Sequence, residues 1–144
     1  MTPALVQWNP YRGAPERAFI RVRLRDARGM ERDLELLADT GNPCAIIVGR
    51  NDTAFMAPIP GYSVWSNFGA LTAGWLQVVI PEIGFDQQVL GYASDEVVGA
   101  AQESDPDFGG LIGLPLLRMM QYGGDSDSFW IRPAGNDIGL GKSP

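Results

Sequence analysis

The chain has 144 residues, enough for one domain with its own hydrophobic core. Its 18 glycines and 11 prolines favour many short strands joined by turns over long helices. The net charge of −6 argues against nucleic acid or an anionic membrane as a partner, and the lack of histidine excludes Ser-His-Asp catalysis, Cys-His catalysis and the usual zinc sites.

Cysteine content and hydropathy add two further expectations. Cys44 is the only cysteine, so the chain cannot form an internal disulfide. Residues 1–5 lack the basic and apolar stretches of a signal peptide, and no apolar run reaches the roughly 18 residues that span a bilayer. The expected location is therefore cytoplasmic.

The first predicted elements are an irregular arm and a hairpin. Residues 1–16 carry three prolines and are expected to form the arm, with room for one short edge strand. Residues 19–25 alternate between apolar side chains and arginines, which predicts a strand with one buried face. The chain then returns through residues 34–38, and Asp33 and Glu35 are expected to lie across from the arginines.

The triplet Asp39-Thr40-Gly41 follows directly on this apolar strand. A strand that delivers a carboxylate into a tight Thr-Gly turn holds it rigidly and close to backbone donors, as an acid–base aspartate requires. Asp, Thr and Gly are also ordinary turn residues, so the triplet by itself favours a turn that only ends a strand.

In the middle of the chain, runs of apolar and β-branched residues predict four strands, at residues 44–48, 62–65, 74–80 and 87–92. The second and third flank a tip of small residues, which predicts a long hairpin. The segment 97–107 is acidic and is expected to be a loop.

The C-terminal part begins with residues 111–120, which predict a buried strand that becomes a short helix with a proline in its first turn. Gly123-Gly124 is expected to stop that helix. A strand at residues 128–132 and a glycine-rich tail at 134–144 follow. No linker or repeat interrupts residues 1–144, which are therefore predicted to form one mostly-β domain.

The triplet and the later Leu111-Ile112-Gly113 form an ordered pair about seventy residues apart. Together they resemble the retropepsin-like aspartic proteases, the single-lobe relatives of pepsin, over residues 18–133. The resemblance implies an all-β, closed β-barrel-like lobe with one short C-terminal helix. It also implies an aspartic endopeptidase that acts as a homodimer on an extended peptide or protein substrate, with no cofactor and no metal.

The resemblance implies that Asp39, Thr40 and Gly41 are the catalytic residues. Peptide hydrolysis by this route needs two carboxylates that share a proton, so Asp39 is expected to form a dyad with its copy in a second chain. Thr40 is expected to hydrogen-bond across the dimer axis and lock the two loops together. Gly41 is expected to let its backbone N–H approach the carboxylate.

The residues implied to bind substrate lie after the triplet, in a flap hairpin and in the second motif: Asn42, Phe68, Gly69, Ala70, Ile112 and Gly113. Gly113 is expected because two backbones pass too closely there for a side chain. Asn42 departs from the small Ala or Ser most common in the family and is expected to donate a hydrogen bond to the carboxylate. The flap is expected to include Leu71 and Gly74 as well.

Two other interpretations stay open. The chain could be a non-catalytic module with the same fold that binds extended peptides or serves as a dimerisation domain, or an unrelated small β-barrel in which the triplet is coincidental. If the chain is dimeric, the arm at residues 1–16 and the tail after Pro133 are the segments expected to pair between subunits.

Overall fold

The computed structural model describes residues 5–66 and 69–135. Within them the chain forms ten strands and two helices. The strands are β1 (Gln7–Pro10), β2 (Phe19–Arg25), β3 (Glu31–Asp39), β4 (Ile46–Val48), β5 (Ala57–Ser66), β6 (Gly69–Ile80), β7 (Phe85–Ala93), β8 (Phe108–Gly113), β9 (Met120–Gly124) and β10 (Ser128–Pro133). The helices are α1 (Asp95–Gln102) and α2 (Leu114–Leu117), and 3-10 turns occupy Arg50–Phe55 and Pro81–Ile83.

Six strands form a closed barrel. They pair in the order β2-β3-β8-β4-β7-β6, and the barrel closes because β2 also pairs with β6. The pairs β3–β8 and β4–β7 are parallel, whereas the other pairs of the barrel are antiparallel. Ile20, Val22 and Leu24 point inward, as their alternation predicted, and are at most 2% exposed. The all-β, barrel-like fold class predicted from the sequence is confirmed.

The β2–β3 hairpin has the predicted register. Arg21 lies opposite Glu35 and Arg23 lies opposite Asp33. Arg23 Nε donates to Asp33 Oδ1 at 2.8 Å, but Glu35 instead accepts from Arg12 Nε at 2.6 Å. These pairs are partly solvent-exposed, so water and salt screen them and they contribute little to the stability of the fold.

A second sheet, in the order β1-β10-β9, carries the first and last strands of the described chain. β1 lies inside the predicted arm and pairs with β10 of the same chain. Gln7 is 1% exposed, and its side-chain amide donates to the carbonyl of Arg21 and accepts from its N–H. One buried glutamine thereby fastens the terminal sheet to β2 of the barrel.

The prediction of a loop at residues 97–107 is wrong, because α1 occupies much of that segment. Ser94 caps the helix, since its side chain accepts from the Val97 N–H, and Asp95 and Glu96 place negative charge in the first turn. Val98 is 1% exposed and packs against the barrel. Two adjacent valines and a glycine lower the helix propensity of this segment, which is why composition indicated a loop.

The predicted helix after β8 is present but ends at Leu117. Met120–Gly124 forms β9, so Gly123 and Gly124 do not stop a helix but pair with β10. Neither helix of the described ranges is long and apolar enough to cross a membrane.

One acidic side chain of the 3-10 turn Arg50–Phe55 is buried. The Asp52 side chain is 5% exposed, and Arg32 Nε lies 2.9 Å from its Oδ1 without the alignment of a hydrogen bond. Burial raises the pKa of Asp52 above its usual value, and the positive charge of Arg32 offsets only part of that effect. The folded protein therefore binds the proton of Asp52 more tightly than the unfolded chain does.

This raised pKa predicts a pH-dependent effect of Asp52→Asn on stability. As pH rises through the usual titration range of Asp, ionisation of Asp52 costs free energy in the folded state, so the free energy of unfolding of the wild type falls relative to that of the variant. Chemical denaturation from about pH 3 to about pH 7 measures the difference. A constant difference between wild type and Asp52→Asn would contradict the prediction.

Candidate active site

Asp39 is the last residue of β3 and lies opposite Gly113 in the parallel β3–β8 pair. The chain then turns, because the Asn42 N–H donates to the Asp39 carbonyl at 3.0 Å. The Gly41 N–H donates to Asp39 Oδ1 at 3.1 Å, so the approach expected from the sequence is present. The Asp39 side chain is half-buried and Thr40 and Gly41 are exposed, which leaves the carboxyl group at an open edge of the molecule.

The end of β8 crosses the loop that follows this turn at very short range. A Cβ atom on Gly113 would lie 1.9 Å from the Cys44 carbonyl oxygen and 2.6 Å from that of Asn42. The Gly113 N–H donates to the Ala45 carbonyl at 2.9 Å, and the Leu114 N–H donates to the Asn42 carbonyl at 3.1 Å. The close backbone approach predicted at Gly113 is therefore present.

Asn42 is placed differently from its prediction. Its side chain is buried at 4% exposure, and its Oδ1 accepts from the Cys44 N–H at 2.9 Å. Its Nδ2 has no hydrogen-bond partner within the described residues, so the expected donation to the Asp39 carboxylate is wrong. The reason is the turn itself, because the bond to Cys44 directs the amide into the protein. The assignment of Asn42 to substrate binding stays a prediction.

The neighbouring side chains differ in exposure. Thr40 is exposed, and its hydroxyl forms no hydrogen bond with residues 5–66 or 69–135. Pro43 is exposed as well. Cys44 is half-buried, and this burial raises the pKa of its thiol. The thiol is therefore held in its neutral form, which does not favour a nucleophilic role.

The predicted flap corresponds to the hairpin of β5 and β6, whose strands are longer than the predicted strands 62–65 and 74–80. Gly69 and Ala70 pair through their backbones with Ser66 and Trp65, respectively, next to its tip. Phe68 lies outside the described residues. Leu71 pairs with Val64 in this hairpin, but its side chain is fully buried in a cluster with Phe19, Ile47, Val98, Phe108 and Leu111. Gly74 pairs with both β5 and β7, so it lies where the hairpin joins the barrel, and the assignment of these residues to the flap stays a prediction.

The structure brings together the Asp39-Thr40-Gly41 turn, Asn42 and Gly113. Ile112 is adjacent in β8, but its side chain is fully buried in the core and exposes nothing to a substrate. Leu114 was not foreseen from the sequence, although its N–H binds the loop. Its position directly after the glycine of the second motif was the available signal.

The described residues form a cleft of about 730 Å³ that does not include the turn. Its walls come from β2, β3 and the segment before β8, and they include neither Asp39 nor Thr40. Its main charges are already paired within the protein, as in Arg23–Asp33 and Arg32–Asp52. This cleft is therefore not the site of the Asp39 carboxyl group.

Comparison with solved structures shows that this fold is shared. The chain is similar to a retropepsin-like aspartic protease from Rickettsia conorii, with a TM-score of 0.54 and 15% sequence identity. The similarity covers 91% of this chain and 94% of that one. No family model matches the sequence, and no curated protein matches it. The architecture is therefore that of a retropepsin-like lobe.

The crossing at Gly113 predicts a severe effect of Gly113→Ala. The added methyl group would collide with a backbone carbonyl that cannot rotate away, so the free energy of unfolding is expected to fall by about 3 kcal/mol or more. Gly41→Ala is the matched control, since its new Cβ would meet Asp39 Oδ1 at an ordinary 3.5 Å. Urea denaturation compares the two variants, and equal losses of stability would contradict the prediction.

Proposed function

We propose that this chain is an aspartic endopeptidase whose active site is formed by two copies of Asp39 in a homodimer. The observation that carries the proposal is the Asp39 turn, in which a half-exposed carboxylate accepts from the Gly41 N–H beside the crossing at Gly113. The similarity of the whole fold to a retropepsin-like aspartic protease supports it.

The chemistry explains why a second copy is needed. The ionised carboxylate takes a proton from water while the water oxygen attacks the carbonyl carbon of the substrate, and the protonated carboxyl group donates its proton to the carbonyl oxygen. The tetrahedral intermediate then collapses as the C–N bond breaks and the leaving nitrogen is protonated. One Asp39 cannot be ionised and protonated at once, and the sequence contains the triplet only once.

A symmetric dimer supplies the second carboxyl group without a second catalytic triplet in the sequence. In an isologous pair the same surface of each chain meets its copy, so two Asp39 turns can face each other across the two-fold axis. Repulsion between the two carboxylates then makes them titrate in two coupled steps, which favours the state with a single shared proton. The exposure of Thr40 and Gly41 in the turn is consistent with this assembly.

The substrate class follows from the surrounding backbone. The β5–β6 hairpin offers strand edges, which recognise an extended peptide through main-chain hydrogen bonds. Closure of such a hairpin over the bound peptide would exclude water from the dyad. We therefore expect extended peptides or unfolded protein segments as substrates.

Asp39→Asn is expected to abolish cleavage while the dimer persists. The amide can neither accept the proton of water nor share a proton with its copy, so cleavage is expected to fall by about 100- to 10,000-fold. Cleavage of a mixed peptide library, with mass determined by light scattering, tests this. Asp33→Asn, the same substitution on the same strand, should leave cleavage intact. An inert wild-type dimer would favour the non-catalytic module, and an inert monomer would contradict the proposal altogether.

Thr40→Ala is expected to weaken the dimer without unfolding the chain. The side chain is exposed, so its loss should change the stability of the monomer little. Two symmetric copies of a hydrogen bond worth about 1 kcal/mol each would raise the dimer Kd by roughly 10- to 30-fold. Sedimentation equilibrium measures the Kd, and an unchanged value would show that Thr40 does not lie at the interface.

A further inference from the structure

One residue of the candidate catalytic loop is turned away from solvent. Thr40, Gly41 and Pro43 are exposed, whereas Asn42 is only 4% exposed. A polar side chain is rarely buried without a structural or functional reason, because each of its hydrogen-bonding groups loses water. Asn42 lies three residues after Asp39, so the reason for its burial bears on the candidate active site.

Asn42 ties the loop together through its backbone and its side chain. Its N–H donates to the Asp39 carbonyl at 3.0 Å, and its own carbonyl accepts from the Leu114 N–H at 3.1 Å. Its Oδ1 accepts from the Cys44 N–H at 2.9 Å. The same residue therefore closes the Asp39 turn, joins it to the chain that leaves β8, and orders the loop beyond.

The side-chain bond has no evident substitute. Pro43 has no N–H, so Cys44 supplies the first backbone donor after Asn42. Cys44 is half-buried, and its carbonyl oxygen is the atom closest to Gly113 at the crossing. Loss of the Asn42 oxygen would leave this N–H without its partner at the point where the loop is packed most tightly.

The other end of the amide is unsatisfied. Nδ2 is buried and has no hydrogen-bond partner among the described residues, and a buried orphan donor destabilises the folded protein. Aspartate has nearly the same shape and would keep the acceptor for Cys44, but it would bury a carboxylate oxygen in place of the orphan donor, at a larger cost. Asparagine therefore binds the Cys44 N–H while it keeps the buried position neutral.

We propose that Asn42 is a neutral positioning residue, which holds the Asp39 turn against β8 without adding a second carboxylate to the loop. The proposal rests on the proposed function, because a further negative charge in the loop would raise the pKa values of the dyad. β8 and α2 carry no titratable side chain, so Asp39 and Cys44 are the titratable groups of the loop and of the two elements that follow its crossing.

Three variants separate the holding role from the charge. Asn42→Asp keeps the acceptor and adds charge, Asn42→Ser keeps a shorter acceptor without charge, and Asn42→Ala removes the acceptor. Two measurements on the full chain need no substrate: hydrogen exchange of the Cys44 N–H, and the titration of the Asp39 carboxyl carbon by NMR, assigned with Asp39→Asn. A third measurement is kcat and KM for peptide cleavage.

The proposal expects a distinct result for each variant. Asn42→Asp should protect the Cys44 N–H as the wild type does but move the midpoint of the Asp39 titration to higher pH. Asn42→Ala should speed exchange at Cys44 by about tenfold or more and lower kcat by about 10- to 100-fold with KM little changed. Asn42→Ser should recover part of both losses. If Asn42→Ala does not fold, the Asp39 titration in Asn42→Asp and the exchange of the Cys44 N–H in Asn42→Ser still test the proposal.

The proposal is overturned if the Asn42→Asp variant titrates at Asp39 as the wild type does, or if exchange at Cys44 is unchanged when the acceptor is removed. A purely structural residue would lower kcat and stability together in all three variants without moving the Asp39 titration. If the wild type cleaves no peptide, the proposed function fails, whereas the exchange and titration measurements still show whether Asn42 holds the turn.

Discussion

The strand β8 passes so close to the loop after Asp39 that no side chain fits between them. Gly113 faces the carbonyl oxygens of Cys44 and Asn42, and hydrogen bonds from Gly113 and Leu114 fasten the two segments to each other. Because these contacts join backbone to backbone, they leave little freedom to the turn that carries the carboxylate. The parallel pairing of β3 with β8 runs from Glu35 and Phe108 to Asp39 and Gly113, so the packing of these two barrel strands determines the position of Asp39.

In the proposed function, this arrangement is half of a catalytic site. One chain holds one half-buried carboxylate, which accepts a hydrogen bond from the Gly41 N–H beside the exposed residues Thr40 and Gly41. The terminal sheet adds a constraint on assembly, since β1 is already paired with β10 of the same chain and fastened to the barrel by Gln7. Any pairing between subunits through the termini has to use edges that this sheet leaves free.

The features predicted from the sequence were those that depend on local chemistry. The strict alternation of apolar and polar residues predicted that Ile20, Val22 and Leu24 lie inside the barrel. The preference of tight turns for small residues predicted the turn at Asp39. Features that depend on what packs against a segment were missed or misplaced. Helix α1 has weak propensity and is stabilised by a serine cap and by the burial of Val98. The burial of Leu71 follows from neighbours more than twenty residues away in sequence, which no local pattern reveals. The inward direction of Asn42 comes from its side-chain bond to the Cys44 N–H.

The central claim is that one active site uses Asp39 from two chains, and subunit mixing tests it most directly. Wild type and Asp39→Asn are combined at constant total concentration, allowed to exchange subunits, and assayed for peptide cleavage. If each site needs both carboxylates, activity falls with the square of the wild-type fraction, to about a quarter in an equal mixture. A linear fall, to about half in that mixture, would show that each chain acts alone and would contradict the account.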